Sequence, residues 1–327
     1  MEDLVHDDRA SINEQVKDRI SNLPDEIIHR ILSFLDMKYA IQTSQLSKKW
    51  KYIWTSMPYL NLNGEMFRTI PDFARFVKHA LSNRNDQKEV SAVELTFRGF
   101  FSQFVVKRIV NYAYSHNVRQ LKIVQFMCRS DKRFDSVDHN VFSQYPCSSH
   151  TLKHLTLATK EQSYYRGYIP KSAWDFPALE TLTLSNMQFD LTLHRFSMSD
   201  LDIFNICIPK LSNLTINDPD SFPKVFNVVA PQLENLTATI YHKKYTYDSK
   251  SFKFLQLSTE GLDSLEKVNL SLPWSWYHFK EERYAPQLLD LFQKLRSAKF
   301  LILNPVIIEV YTSQISWSLN IILIVAI

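Results

Sequence analysis

"FPALETLTL", residues 176–184, carries leucines at 179, 182 and 184, and the same L-x-x-L-x-L phrase returns along the chain. It is heard in "TLKHLTL" (151–157), "IPKLSNLTI" (208–216), "APQLENLTATI" (230–240) and "LDSLEKVNLSL" (262–272). Several copies place a proline two residues before the first leucine. Taking that leucine as the origin, clear copies begin at Leu152, Leu179, Leu211, Leu233 and Leu265. Weaker copies are suggested at Ala92 (with Leu95 and Phe97), Val118 (with Leu121 and Ile123) and Leu295 (with Ala298 and Phe300). Successive origins lie 22 to 34 residues apart, irregular but of the size that marks a repeat array.

The last two apolar positions of each phrase alternate with polar ones, which is the period of a strand buried on one face. Leu182 and Leu184 then point inward, while Thr181, Thr183 and Ser185 point out. Each repeat buries its inner face by stacking on its neighbours, giving an α/β repeat solenoid with one strand-lined surface. The outward residues are His154 and Thr156, Thr181 and Thr183, then Asn213, Thr215 and Asn217. They continue with Asn235, Thr237 and Thr239, and with Lys267, Asn269 and Ser271. These form the candidate target-binding face, and uncharged polar groups dominate it. The alternation also explains three matches to the N-glycosylation pattern, at Asn213, Asn235 and Asn269. An outward Asn followed by an inward apolar residue and an outward Thr or Ser produces N-x-[ST] without any glycan.

Ahead of the repeats stands "LPDEIIHRILSFL", residues 23–35. Pro24 suits the first helical turn, and Asp25 and Glu26 complement the positive end of the helix dipole. Ile27, Ile28, Ile31, Leu32 and Leu35 then form an apolar stripe, with Phe34 beside it. Asp36 ends this helix and is placed to cap "MKYAIQTSQL", after which Ser47 is placed to cap "KKWKYIW", with Trp50 and Trp54 at i,i+4. Leaving the stripe in water would forfeit about 10 kcal/mol gross, so something must cover it. Two readings remain open on periodicity alone: a partner helix, or the following domain of the same chain.

The whole chain has 327 residues, 45% hydrophobic and 22% charged, which is ordinary globular composition. Its 38 basic and 34 acidic residues give a net charge of +4, too small and scattered an excess to imply nucleic-acid binding. Lys48, Lys49 and Lys51 beside Trp50 read as a solvated helix face. Three cysteines, Cys128, Cys147 and Cys207, are too few and too dispersed for a disulfide framework, which points to a reducing compartment. The acidic N-terminus lacks the apolar core of a secretory signal, so an intracellular protein is expected, in nucleus or cytoplasm.

The segment "LPDEIIHRILSFLDMKYAIQTSQLSKKWKYIW" with the following "MPYLNL" resembles the F-box, and the phrases downstream resemble the leucine-rich repeats of the large plant F-box group. The resemblance implies a short three-helix F-box over 18–62, a helical connector and cap over 63–90, and an irregular leucine-rich-repeat solenoid over 91–303. Residues 1–17 would form a disordered segment and 304–327 an apolar tail. It further implies a non-catalytic substrate receptor of an SCF-type ubiquitin ligase. The F-box would bind a Skp-type adaptor, and through it a cullin, while the repeats hold an unidentified target protein. Leu23, Pro24, Ile27, Ile28, Ile31, Leu32, Leu35 and Trp50 carry over as core and adaptor contacts, whereas Ile41, Leu46, Ile53 and Trp54 would hold the helices together. The alternative is a repeat scaffold that assembles no ligase. The sequence departs from the group at its end, "NPVIIEVYTSQISWSLNIILIVAI", where many relatives continue into a further domain. The apolar run Ile321–Ile327 is far short of the roughly 20 residues a membrane span needs, so a final strand or cap, or an alternative end of the coding frame, is expected there in preference to a tail anchor.

Enzymatic chemistry has no visible home. Four glycines, Gly64, Gly99, Gly167 and Gly261, form no phosphate-cradling loop. His150 and His154 sit in a strand-like stretch, where a spacing of four does not bring ring nitrogens together, so no metal is expected. Asp138 and His139 adjoin no nucleophile motif. No cofactor is expected.

Overall fold

The computed structural model describes residues 20, 22–98, 103–127, 148–161, 167–169, 175–185, 187–189, 203–217, 225–239, 262–271, 285–305 and 307–308. The tail after 308, the acidic N-terminus, Asp138 and His139 lie outside these residues.

Short helices come first: α1 (Asp25–Leu32), α2 (Met37–Gln42) and α3 (Trp50–Ile53), the last two each extended by a 3-10 turn, Thr43–Gln45 and Trp54–Ser56. Ser47 caps as expected, its Oγ accepting from the Trp50 N–H at 3.4 Å. Asp36 occupies the N-cap position of α2 but makes no cap hydrogen bond with its side chain. Its carboxylate accepts instead from Asn63 Nδ2 at 3.4 Å, tying the start of α2 to the strand that follows the helices.

That strand, β1 (Tyr59–Asn63), opens a nine-stranded, wholly parallel sheet. It continues through β2 (Ala92–Arg98), β3 (Gln120–Met127), β4 (His154–Glu161), β6 (Thr181–Ser185), β9 (Asn213–Asn217), β11 (Asn235–Thr239), β12 (Lys267–Ser271) and β13 (Phe300–Leu303). The strands stand in chain order, each beside its predecessor in the sheet, as a stack of repeats requires. The return path is helical at the two ends, through α4 (Ile70–Ser82), α5 (Gln103–Ser115) and α6 (Ala285–Lys294). Among the described residues of the middle, β8 (Ile203–Cys207) pairs with β10 (Val225–Val229) in a small sheet of its own. A second small sheet joins β5 (Gly167–Ile169) to β7 (Met187–Phe189). This architecture of N-terminal helices and parallel sheet is consistent with a repeat solenoid.

The proline of the phrase now has a reason. Phe176 to Leu179, Ile208 to Leu211 and Ala230 to Leu233 each close a turn through a backbone bond of 2.9 to 3.1 Å, with Pro177, Pro209 and Pro231 second in the turn. Proline's fixed φ is pre-set for that position. The first leucine then enters the core at the corner, and Leu152, Leu179, Leu211 and Leu233 are wholly buried. The next residue starts the ladder: Lys153 N–H donates to Arg119 O, Glu180 to Lys153 O, Ser212 to Glu180 O, Glu234 to Ser212 O and Glu266 to Glu234 O, at 2.8 to 3.0 Å. Inward leucines stack in register, Leu155 on Leu182, Leu182 on Leu214 and Leu214 on Leu236. Each such side chain contributes roughly 1.5 to 3 kcal/mol when fully buried.

Three details of the repeat reading shift. β2 pairs with β3 so that Val93 and Leu95 lie beside Leu121 and Ile123. The origin of that copy is therefore the buried Val90, not Ala92. In β13, Leu301 and Leu303 lie beside Val268 and Leu270, while Phe300 pairs with the outward Lys267 and stays exposed. The origin there is Ala298, and Leu295 belongs to the turn that closes α6. Last, a further copy stands at Met57, Leu60 and Leu62, all buried, and it includes residues expected to belong to the helical module alone. The segment expected to be a connector and cap contains α4, which crosses from this first strand to the second and lies against α5. Its N-terminus is capped by Thr69, whose Oγ1 accepts from Asp72 N–H at 3.2 Å.

Candidate functional site

Two surfaces are candidates, one on the helices and one on the sheet. Along α1 the apolar stripe is divided. Ile28 and Leu32 are wholly buried, part of a hydrophobic core continuous with the leucines of the sheet, and Trp50 and Ile53 join them. Ile27 and Ile31, one turn apart, are 48% and 42% exposed, and Phe34 one turn further is 77% exposed. Leu23 and Leu35 are partly buried at the margin, and Pro24 is exposed. Among the residues expected to clasp the helices, Ile53 and Trp54 are buried and Ile41 is partly so, but Leu46 is 65% exposed. Leu46 therefore adds to the uncovered apolar surface instead of joining helix to helix. Exposed Tyr52 does the same.

Polar contacts fix the buried side of this module. His29 Nε2 lies 3.2 Å from Ile53 O and 3.0 Å from Ser56 Oγ, clasping α1 to the end of α3. Lys49 Nζ pairs with Asp25 Oδ1 at 3.0 Å and donates to Leu23 O. Behind the module, the buried Arg84 donates to Trp54 O at 3.4 Å and to Met57 O at 2.5 Å. It satisfies carbonyls at the junction between helices and sheet, and the Asn85 N–H adds a bond to Thr55 O at 3.0 Å. Burial holds the Arg84 guanidinium below its ordinary value, offset in part by the Tyr112 phenol beside it. Burial likewise raises the Tyr112 phenol.

On the sheet, all the outward positions named from the sequence fall on one face, in straight rows across the strands. His154, Thr181, Asn213, Asn235 and Lys267 occupy the row nearest the strand entries. Thr156, Thr183, Thr215, Thr237 and Asn269 form the central row. Ser185, Asn217, Thr239 and Ser271 form the third. Asn235 Nδ2 donates to Asn213 Oδ1 at 2.9 Å, and Ser271 Oγ to Thr239 Oγ1 at 2.8 Å. A groove of about 220 Å³ lies between the helices and the start of the sheet, lined by Arg30 of α1, by Ser33 just past its end and by residues of the first three strands, among them Asn61, Glu94 and Lys122. Glu94 and Lys122 neutralise each other at 2.8 Å.

His154 stands alone in its row, and among the described residues no cluster of His, Cys, Asp or Glu is placed to hold a metal ion. Among the same residues no helix is long and apolar enough to cross a membrane. In the basic cluster beside Trp50, Lys49 is committed to Asp25 and Leu23 O, and Lys51 Nζ lies 5.3 Å from the Tyr52 ring.

The short helical module leads directly into the parallel sheet, and residues 20–62, which contain it, match the F-box domain family. The chain is similar to an F-box/LRR-repeat protein of Arabidopsis thaliana, 27% identical over 220 residues, covering 62% of this chain and 68% of that protein. It is also similar to an F-box/FBD/LRR-repeat protein of the same plant, 28% identical over 231 residues, covering 64% of this chain and 48% of the relative. A third relative, F-box/LRR-repeat protein 25 of Arabidopsis thaliana, is 33% identical over 107 residues, covering 32% and 39% of the two chains. The chain thus carries an F-box domain and is similar to plant F-box/leucine-rich-repeat proteins, and it spans less than half to about two thirds of these relatives' length. No solved structure matches it.

Proposed function

We propose that this chain is the substrate-recognition subunit of an SCF-type ubiquitin ligase, docking on a Skp-type adaptor through α1 and its neighbours and holding a target protein on the outward face of a leucine-rich-repeat solenoid. The observation that carries the reading is the division of the α1 stripe. Ile28 and Leu32 complete the chain's own core, whereas Ile27, Ile31 and Phe34 form an i, i+4, i+7 ridge that the described residues leave uncovered. A helix of the adaptor that covered this ridge would bury apolar surface at roughly 25 cal/mol per Å². The chain performs no bond chemistry in this scheme. It acts by proximity, raising the effective concentration of target lysines at a thioester held on another subunit.

Ile27→Asp with Ile31→Asp tests the docking. Both positions already face water, so the double variant keeps its fold, and it loses adaptor binding by about a hundredfold or more in a titration. Unchanged adaptor affinity with the fold intact would refute the assignment, and would favour a repeat scaffold that assembles no ligase.

A further inference from the structure

Charge on the sheet region is distributed unevenly. It gathers at the strand entries, in the residue after most corners, Arg119, Lys153, Glu180, Glu234, Glu266 and Lys299, whereas Ser91 and Ser212 follow two others. Several of these are already paired, Lys153 with Glu180 at 2.6 Å and Lys299 with Glu266 at 2.5 Å. Across the centre of the face, from β4 to β12, the row Thr156, Thr183, Thr215, Thr237 and Asn269 carries no charge. A neutral centre bordered by charge on its entry side and by uncharged polar groups on the other fits the anatomy of a protein interface, where the fully desolvated middle is depleted of charge and the rim is polar.

The rows also differ in how their polar groups are engaged. On the entry side, Asn213 Nδ2 donates to Ser212 Oγ at 2.8 Å and accepts from Asn235. On the far side, Ser271 bonds Thr239, which donates to Asn217 Oδ1 at 3.4 Å. Between them, no described residue hydrogen-bonds the hydroxyls of Thr156, Thr183, Thr215 and Thr237. Four partly exposed hydroxyls, each both donor and acceptor, therefore stand in line at the strand spacing of about 4.8 Å.

We infer that this row is the docking surface for an uncharged segment of the target, rich in Ser, Thr, Asn and Gln. The inference rests on the proposed substrate-receptor reading and gives the target its chemical class. Amide and hydroxyl side chains match hydroxyls that can donate or accept. A Lys, Arg, Asp or Glu laid on the same row would lose hydration and meet no counter-charge, and this mismatch selects against charged segments. A peptide is favoured over a glycan because the outward described residues of β4 to β12 include no aromatic side chain, the only ring being the His154 imidazole at one end.

The test uses the full chain copurified with its adaptor and immobilised biotinylated peptides. One series is Ser/Thr/Asn/Gln-rich with zero net charge, and two matched series carry Asp or Lys at alternate positions. The neutral series is expected to bind at least tenfold tighter than either charged series. In the triple variant Thr183→Val, Thr215→Val and Thr237→Val, which removes hydroxyls while keeping shape and strand preference, that affinity falls roughly tenfold. Equal or tighter binding by a charged series, preference for neutral oligosaccharides, no peptide binding, or an unaffected triple variant would each overturn the inference. Failure of the adaptor to copurify would overturn the ligase reading instead, and the peptide preference would still be read on the chain alone.

Discussion

The helices and the sheet treat their apolar residues in opposite ways. In the sheet region the inward leucines of successive repeats complete one another, and Leu182, Leu214, Leu236 and Leu270 are all 1% exposed or less. In the helical module the same type of side chain is split between inside and outside within one turn, so that Ile28 is wholly buried and Ile27 nearly half exposed. A repeat is finished by its neighbour, whereas α1 has a neighbour on one side only. On the proposed reading, the difference separates two kinds of recognition: an apolar ridge suited to a helix, and a polar face suited to hydrogen bonding.

The contrast can be broken most sharply on adjacent residues. Ile28→Asp places a carboxylate in a sealed core and is expected to cost about 4 kcal/mol or more, abolishing cooperative unfolding of the helical module in urea. Ile27→Asp, one residue away, should shift the urea midpoint by the equivalent of less than about 1 kcal/mol. On the sheet, Leu214→Ala should cost about 3 kcal/mol through lost burial and a cavity, read from the same midpoint. Arg84→Ala should cost about 2 kcal/mol by leaving the Trp54 and Met57 carbonyls unbonded. Its adaptor affinity should stay unchanged, since Arg84 lies behind the ridge.

The smallest effect concerns pH. The hydrogen bond from Lys153 holds the Glu180 carboxyl below its ordinary value of 4.5. A carboxyl depressed in the folded state adds stability above its unfolded pKa, and that contribution disappears as pH falls through the folded value. The Glu180 side chain is 41% exposed, so the gain is that of a surface pair, about 0.5 kcal/mol or less. Glu180→Gln should flatten the acid side of the stability profile by that amount, and added salt should erase the difference.

Much of this was legible in the residues. The phrases at 152, 179, 211, 233 and 265 announce their own strands, because a buried corner leucine followed by strict alternation has one sensible register. The slips occur where that alternation is ambiguous. β2 presents three inward apolar residues, Val93, Leu95 and Phe97, so the pattern fits equally well two residues late. Around β13, Leu295 mimics a corner leucine while ending a helix, and the hydrophobic Phe300 points outward. The copy at Met57 was hidden because "MPYLNL" closes the helical motif as well as opening the sheet. Helical periodicity also could not divide the α1 stripe, since Ile27 and Ile28 lie only about 100° apart around the helix. Which one is buried depends on where α3 and β1 sit, and that is tertiary information.

The uncovered ridge is measured most directly by thiol accessibility. Cysteines are introduced singly as Ile31→Cys and Ile28→Cys, and alkylation rates are followed peptide by peptide by mass spectrometry, with and without a Skp-type adaptor. The account predicts that the thiol at 31 reacts readily in the isolated chain and is protected by the adaptor, while the thiol at 28 is shielded in both. Protection at 31 before any adaptor is added, or unchanged reactivity once it is present in excess, would contradict the account.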